Sequence, residues 1–387
     1  MDISAFDFVV VGAGLAGAII AERIANVLGR KVLIIERRSH VGGNCYDYID
    51  ESGIIVHKYG PHIFHTDYEE VYNYISKFTE WLPYTHKVLV SLDGNKVPLP
   101  FNFTSMEIIF SRTYSNKLQE KLLRKFKYDE RVPLSRLAND SDEDIVSLSQ
   151  FIFKKIFQNY SIKQWGKSVN EMEDLVYKRV PVVIGRDDRY FSDKYQGIPK
   201  ESYSAMFRKL LSSPNIEIFL NTDFKKVSKI INDEIFIFDK PFNGKLIFTG
   251  MVDELFDYKF GKLSYRSLRL DLKKVDVNYF QEVATINYPN EYEFTRITEF
   301  KRMKPVQVSR TIILKEYPVD YLTGINEPFY PVFTENERKK YYLYFDYAKK
   351  FSNLILLGRL AEFKYYDMDD VILSALKVFR ESIESGQ

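Results

Sequence analysis

Gly12, Gly14 and Gly17 stand in a G-x-G-x-x-G spacing, and an acid, Glu36, follows about twenty residues later. This pattern serves a dinucleotide. Glycines allow a tight turn, close approach of backbone to a pyrophosphate, and close packing of a helix on a strand; the carboxylate can hydrogen-bond a ribose hydroxyl and disfavours a 2′-phosphate. Three histidines, His57, His62 and His65, crowd the block "HKYGPHIFHT". They could tune a reaction centre or hold a metal, but no thiolate or carboxylate cluster accompanies them, so no metal is expected.

The elements that must position these residues begin with a buried strand, Phe8–Val11, and an apolar helix, Leu15–Val27, whose free N–H groups would meet the phosphates. A second strand over 31–35 ends at Glu36 and Arg37. Arg38, Gly42, Gly43 and Asn44 then give R-x-x-x-G-G-N, an extension that resembles the FAD-binding fold of the glutathione-reductase type more than a plain NAD domain. FAD is therefore the expected cofactor. Further along, 54–65 returns through the Gly60-Pro61 turn, a helical pattern covers 68–78, and "VPLPFNF" at 97–103 is extended and proline-broken. A polar, helical stretch spans 105–175. Residues 202–250 read as a return to the first domain, 262–316 alternates as an antiparallel sheet, and 353–379 gives a buried strand, a turn at Gly358 and a closing helix beginning near Met368.

The fold expected is α/β: a discontinuous Rossmann-like FAD-binding domain (1–82, 200–258 and 350–387), an inserted helical domain (103–178), and an antiparallel β-sheet substrate domain (83–102, 179–199 and 259–349). At 387 residues the chain can bury a large core. Its 55 basic and 53 acidic residues nearly balance, which argues against nucleic acid or an anionic membrane surface as partner. A lone Cys45 excludes an intrachain disulfide framework and fits a reducing compartment. The apolar run over 8–21 is too short to span a membrane and follows Asp2 and Asp7 rather than a basic segment, so a cytoplasmic protein without integral membrane association is expected.

A string of blocks now carries a resemblance: "GGN" at 42, "HKYGPHIFHT" at 57, "LPFN" at 99, "YSIKQWG" at 160, "YFSDKYQGIP" at 190, "FTGMVDELFDYKFGKLSYRSLRL" at 248, "TRITE" at 295, "FYPV" at 329 and "GRLAEFKYYDM" at 358. In this order they resemble the bacterial UDP-galactopyranose mutases nearly end to end. The resemblance implies an isomerase that interconverts UDP-galactopyranose and UDP-galactofuranose for cell-surface glycans. It also implies FAD that is active when reduced, with flavin N5 forming a covalent adduct with the anomeric carbon as UDP leaves. Net oxidation is zero, so the chain needs an external reductant but no second redox site. The family is usually homodimeric.

Residue by residue, the resemblance assigns Arg179 and Arg296 to the diphosphate and places His62 and His65 beside the flavin as catalytic partners. Tyr160, Ser161, Trp165, Tyr190, Phe191, Asn287, Tyr330 and Tyr365 match the substrate side. Gly12, Gly14, Leu15, Gly17, Glu36, Arg37, Gly43, Asn44, His62, Phe224, Arg359, Tyr366, Asp367 and Met368 match the cofactor side. Arg359 would offset charge on the reduced ring; its bland alternative is a helix cap or salt bridge. Mobile segments are expected at 167–174 and 185–189.

The chain departs from the family in two places. His86, in "THKVLV", stands where many relatives carry Asn, and Pro181-Val182-Val183 replaces "PVR". His86 is assigned to the sugar or a phosphate, and UDP-N-acetylgalactosamine stays open as substrate. So does a flavin oxidase of the amine-oxidase kind, which shares the N-terminal fingerprint.

Overall fold

The computed structural model describes residues 2–166 and 181–384. Five parallel strands form its first sheet, in the order Ile216–Phe219, Val32–Ile35, Phe8–Val11, Lys245–Phe248 and Leu354–Leu356. Phe8–Val11 is buried on both faces, which is why it reads as an unbroken run of β-formers rather than as an alternation. The helix Leu15–Val27 covers one face together with Tyr203–Leu210 and the closing helix Met368–Val378, sharing a core with Ile34, Phe207 and Ile372. The closing helix starts where the sequence indicates, at Met368, with the Asp367 N–H bonded to the Asp370 carboxylate. This core brings the C-terminal strand and helix back onto the glycine-rich turn.

The second sheet has seven strands, ordered Tyr330–Pro331, Tyr265–Val275, Thr311–Asp320, Arg296–Glu299, Thr285–Asn287, Val88–Leu92 and Asn95–Leu99. Its pairs are antiparallel except where Thr285–Asn287 runs alongside Val88–Leu92. The hairpin at 88–99 is also the floor of the helical insert: Val88, Val90 and Leu99 share a core with Leu118, Leu148 and Ile152. Asn102 starts that insert by accepting a hydrogen bond from Ser105 N, and the insert's helix Gln158–Trp165 is entered through a π-helical turn, Phe153–Phe157. A smaller three-stranded sheet, with Tyr195–Pro199 between Phe64–Thr66 and Trp81–Pro83, joins the two halves.

One helix, Glu335–Ala348, has no counterpart in the sequence reading, which groups residues 259–349 with the antiparallel sheet. Its buried Tyr344 and Ala348 pack with Phe256 and Phe351 in the core beneath the parallel sheet. No helix among the described residues is long and apolar enough to cross a membrane.

Candidate functional site

A cleft opens at the carboxyl ends of the parallel strands. The three glycines line or shape it in different ways. Gly12 has φ +99°, and a Cβ there would lie 2.3 Å from Thr249 Oγ1. A Cβ on Gly17 would sit 2.0 Å from the Gly12 carbonyl oxygen, so Gly17 sets how closely the helix approaches the strand. Gly14 instead lies against Gly43: its would-be Cβ would be in ordinary contact with the Gly43 Cα at 3.7 Å, whereas a Cβ on Gly43 would lie 2.7 Å from the Gly14 Cα. A bare backbone cradle at a helix N-terminus fits a pyrophosphate.

At one end of the cleft Glu36 is buried. Its Oε2 accepts from Ala13 N at 2.7 Å and its Oε1 from Arg38 N at 2.8 Å, which leaves a lone pair on each oxygen for a ribose hydroxyl. Arg37, Asn44 and Phe224 line the same end, and Glu327 pairs with both Arg37 and Arg38 across the mouth. Leu15, Gly43, His62, Arg359, Asp367 and Met368 line the remainder. Tyr366 contributes only its carbonyl, which accepts from Arg359 Nε at 3.0 Å, because its hydroxyl donates to Glu362.

The other end carries the polar groups that could face a reacting centre. His62 Nδ1 donates to the Gly60 carbonyl at 2.9 Å, while the His62 backbone N–H donates to His57 Nδ1 at 2.9 Å. These bonds fix both tautomers: His57 carries its proton on Nε2 and His62 on Nδ1, leaving His62 Nε2 as an acceptor. Burial pushes His57 down to about 4; burial, with His57 and two nearby guanidinium groups, pushes His62 down to about 3. Arg359 is held by the carbonyls of Tyr366 and Phe329 and has no carboxylate partner among the described residues, so its charge remains available to an anion. Cys45, whose thiol burial pushes up to about 12, is an inert neighbour of Met368.

Arg296 projects from the middle of the seven-stranded sheet. Its Nε donates to Glu316 Oε1 at 2.7 Å, and Glu316 is 1% exposed. Burial disfavours the Arg296 charge, but Glu316 more than compensates and raises its pKa well above the usual value. Around Arg296 stand phenols from three separate elements, Tyr160, Tyr190 and Tyr330, close enough to interact with it electrostatically. Burial raises the Tyr160 hydroxyl, which keeps it protonated as a donor. Trp165 lies 6.2 Å from Tyr330 and 6.0 Å from Tyr365, ring centre to ring centre, and Arg359 sits over the Tyr330 ring at 5.2 Å. Ser161 is buried on the Trp165 helix, and Asn287 pairs in register with Arg296. An aromatic ladder closes the far side: Phe191 stacks on His65 at 3.7 Å and on His86 at 5.9 Å, and Tyr84 OH lies 3.2 Å from His86 Nδ1.

The residues expected on the substrate side therefore converge from the helical insert, the seven-stranded sheet and the C-terminal turn. Arg179 and the segment 167–174 lie outside the described residues. The loop at 185–189 is tied down by Arg186 to Glu107 and by Asn102 to the Asp187 carbonyl. Sequence reasoning missed Glu316, Tyr84 and Asp193. Of these only Glu316 carries a signal, as an acid at the inward parity of a strand.

Comparison with known proteins adds a decisive observation. The family described as UDP-galactopyranose mutase matches residues 155–365, and that described as NAD(P)-binding Rossmann-like domain matches residues 10–78. The chain belongs to the UDP-galactopyranose mutase family. It is similar to the UDP-galactopyranose mutase of Mycoplasma pneumoniae, with 33% identity over 96% of this chain and 94% of that one. It is equally similar to the dTDP-fucopyranose mutase of Escherichia coli, with 34% identity over 98% of each chain. A crystal structure of reduced UDP-galactopyranose mutase shares the fold, with a TM-score of 0.70 at 15% identity over 98% of this chain and 94% of that one. Membership in this mutase family thus accounts for a dinucleotide cleft that ends in a cationic, tyrosine-rich chamber. The relatives at this distance differ in base and in sugar.

Proposed function

We propose that this chain is a flavin-dependent isomerase that interconverts UDP-galactopyranose and UDP-galactofuranose. The observation that carries the reading is the convergence of Arg296, three phenols and the Trp165–Tyr330–Tyr365 cluster on the end of the dinucleotide cleft where His62 and Arg359 stand. The glycine cradle and Glu36 would hold the diphosphate and a ribose of FAD, and Arg359, His62, Asp367 and Met368 would surround its ring. When bound and reduced, FAD supplies a nucleophilic nitrogen for the anomeric carbon, so turnover requires no second redox partner.

The chain's own residues then bind, orient and neutralise. Breaking the anomeric C–O bond leaves charge on the diphosphate, and Arg296, with Arg179, offsets that charge in a site partly closed to water. Tyr160, Tyr190, Tyr330 and Tyr365 donate to phosphate oxygens, Trp165 presents a face to the base, and Ser161, Asn287, Phe191 and His86 shape the sugar end. His62 Nε2 accepts a proton-bearing group at the ring, and His65 offers a donor opposite it. Arg359 favours an anionic reduced ring. A homodimer, an external reductant and a cytoplasmic setting belong to the same proposal.

A second reading, the same chemistry on a dTDP-linked deoxysugar, is favoured by the 34% identity to the dTDP-fucopyranose mutase. The test is conversion of UDP-galactopyranose, dTDP-fucopyranose and UDP-N-acetylgalactosamine, each followed by chromatography with and without dithionite. UDP-galactofuranose formed only under reducing conditions supports the first reading, and a product from dTDP-fucopyranose alone supports the second. Reduction of bound FAD by substrate without isomerisation would overturn both in favour of an oxidase.

A further inference from the structure

His65 is fixed on two sides by one short loop. Its Nδ1 lies 3.2 Å from Asp193 Oδ1, and its ring stacks on Phe191 at 3.7 Å with 16° between the planes. The loop is itself braced. Gln196, opposite His65 in the strand register, donates its amide to the carbonyls of Phe191 and Asp193, and Lys194 N donates to Asp67 Oδ1 at 2.8 Å. The remaining ring nitrogen, Nε2, has no protein partner among the described residues. We propose that Asp193 is a positioning residue for the mutase reaction: it holds the His65 Nδ1–H and so keeps Nε2–H a charged donor toward the nucleotide-sugar.

The proposal rests on the mutase reading above and extends it to a residue outside the substrate and cofactor shells. Imidazole alone in this setting would lose its charge, as buried His57 and His86 do, both being pushed down to about 4 and about 3. At His65 burial acts in that same direction, yet Asp193, with Asp367 and Asp369 at the start of the closing helix, outweighs it and raises the pKa. The other charged or titratable groups that bear on the pair are Arg131, which faces Asp193, and His86, reached through Phe191. A salt bridge that merely tied the loop to the strand would need no stacked ring and no free Nε2.

The chain has five histidines, so ring-selective ¹⁵N labelling of the FAD-bound protein can follow each of them, with His65→Asn assigning the signal. His65 is expected to titrate with Nδ1 protonated throughout, and Asp193→Asn should lower its midpoint by about one pH unit or more. Asp193→Glu, which keeps the charge, should restore most of the shift. In the reduced enzyme with UDP-galactopyranose, the same pair of variants should move the alkaline fall in kcat to lower pH and back, with KM changing less than about threefold. An unmoved His65 midpoint in Asp193→Asn overturns the proposal whether or not the protein turns over this sugar. A moved midpoint with an unmoved kcat profile in a catalytically active protein also overturns it, since Asp193 would then act on His65 without acting on the reaction. Absence of turnover in the unsubstituted protein would instead count against the mutase reading, and the ring titration would still judge the Asp193–His65 coupling.

Discussion

Arg296 donates to Glu316 across 2.7 Å, from adjacent strands whose register sets the two residues directly opposite each other. Glu316 is the buried member and Arg296 opens toward the chamber, so the carboxylate both orients the guanidinium and makes its charge tolerable where water is scarce. Glu316→Gln keeps the size and an acceptor but removes the charge. It should cost about 2 kcal/mol of stability and weaken UDP binding about tenfold. Urea denaturation and calorimetric titration with UDP measure the two effects separately; a variant that matches the parent in both would show the pair to be incidental.

Trp165 offers an optical test of the base site. The chain has two tryptophans, and Trp81 is committed to a stack on Phe64 at 4.4 Å and a hydrogen bond to Ser76. UDP should therefore quench Trp165 fluorescence in the Trp81→Phe variant as it does in the parent. Trp165→Ala should abolish the change and weaken UDP by about 1–3 kcal/mol, the usual worth of an aromatic face to a base. Quenching that survives in Trp165→Ala would place the base elsewhere.

Much of this site is legible in the sequence because its residues sit in local patterns. G-x-G-x-x-G, the acid at 36 and the start of the closing helix are each set by short-range geometry, and the structure gives Gly12 and Gly17 each a distinct steric reason. What stays hidden depends on distant partners. Asp193 meets His65 across 128 positions, and nothing near Asp193 in the chain announces that contact. Glu316 is half-visible: Ile312, Leu314 and Glu316 share the buried parity of one strand, so an acid there demands a buried cation, but not which one. The helix Glu335–Ala348 escapes because its apolar residues are mainly tyrosine and phenylalanine, which carry strand propensity, and several of them point to solvent.

Arg359 bears on the cofactor's redox chemistry. With carbonyls as its protein partners and no carboxylate beside it among the described residues, its full charge is left for the anionic reduced ring. Arg359→Ala should make the midpoint potential of bound FAD more negative by about 30 mV or more, equivalent to about 1.4 kcal/mol in a two-electron couple. Spectroelectrochemistry reads this directly, and an unchanged potential would return Arg359 to a purely structural role.

Gly17 and Glu36 separate folding from cofactor binding. A Cβ on Gly17 meets the Gly12 carbonyl at 2.0 Å, a contact between two backbone segments that cannot both yield, so Gly17→Ala should lose FAD and several degrees of thermal stability together. Glu36→Gln keeps one acceptor oxygen and turns the other into an NH2 group, so one of the two backbone donors, Ala13 N or Arg38 N, loses its acceptor and the bond to a ribose weakens. That variant should stay folded and bind FAD about tenfold more weakly, as flavin fluorescence on dilution would report.

Acid should destabilise the fold well before its carboxylates titrate. His57 and His86 are shut away from water and held down to about 4 and about 3, mainly by burial, so both stay neutral in the folded chain at pH 5. In the unfolded chain the same rings take up protons below about 6.5. The stabilising contribution is therefore complete above that value and is lost as pH falls through it toward the folded values, at about 1.4 kcal/mol per pH unit for each ring. Between pH 7 and 5 this amounts to about 2 kcal/mol apiece; His62, which opens onto the cleft, adds less. His65 has the opposite sign. Its raised pKa gives stability that is fully present below about 6.5 and fades as pH climbs through the folded value, so it grows slightly as pH falls to 6.5 and adds nothing further below. Urea midpoints measured at pH 7, 6 and 5 should fall steadily, and His57→Gln should flatten the decline by removing one ring. A midpoint that stays level to pH 5 in the parent would mean that these rings take up protons in the folded state, at His57 against the hydrogen bond its Nδ1 accepts from His62 N.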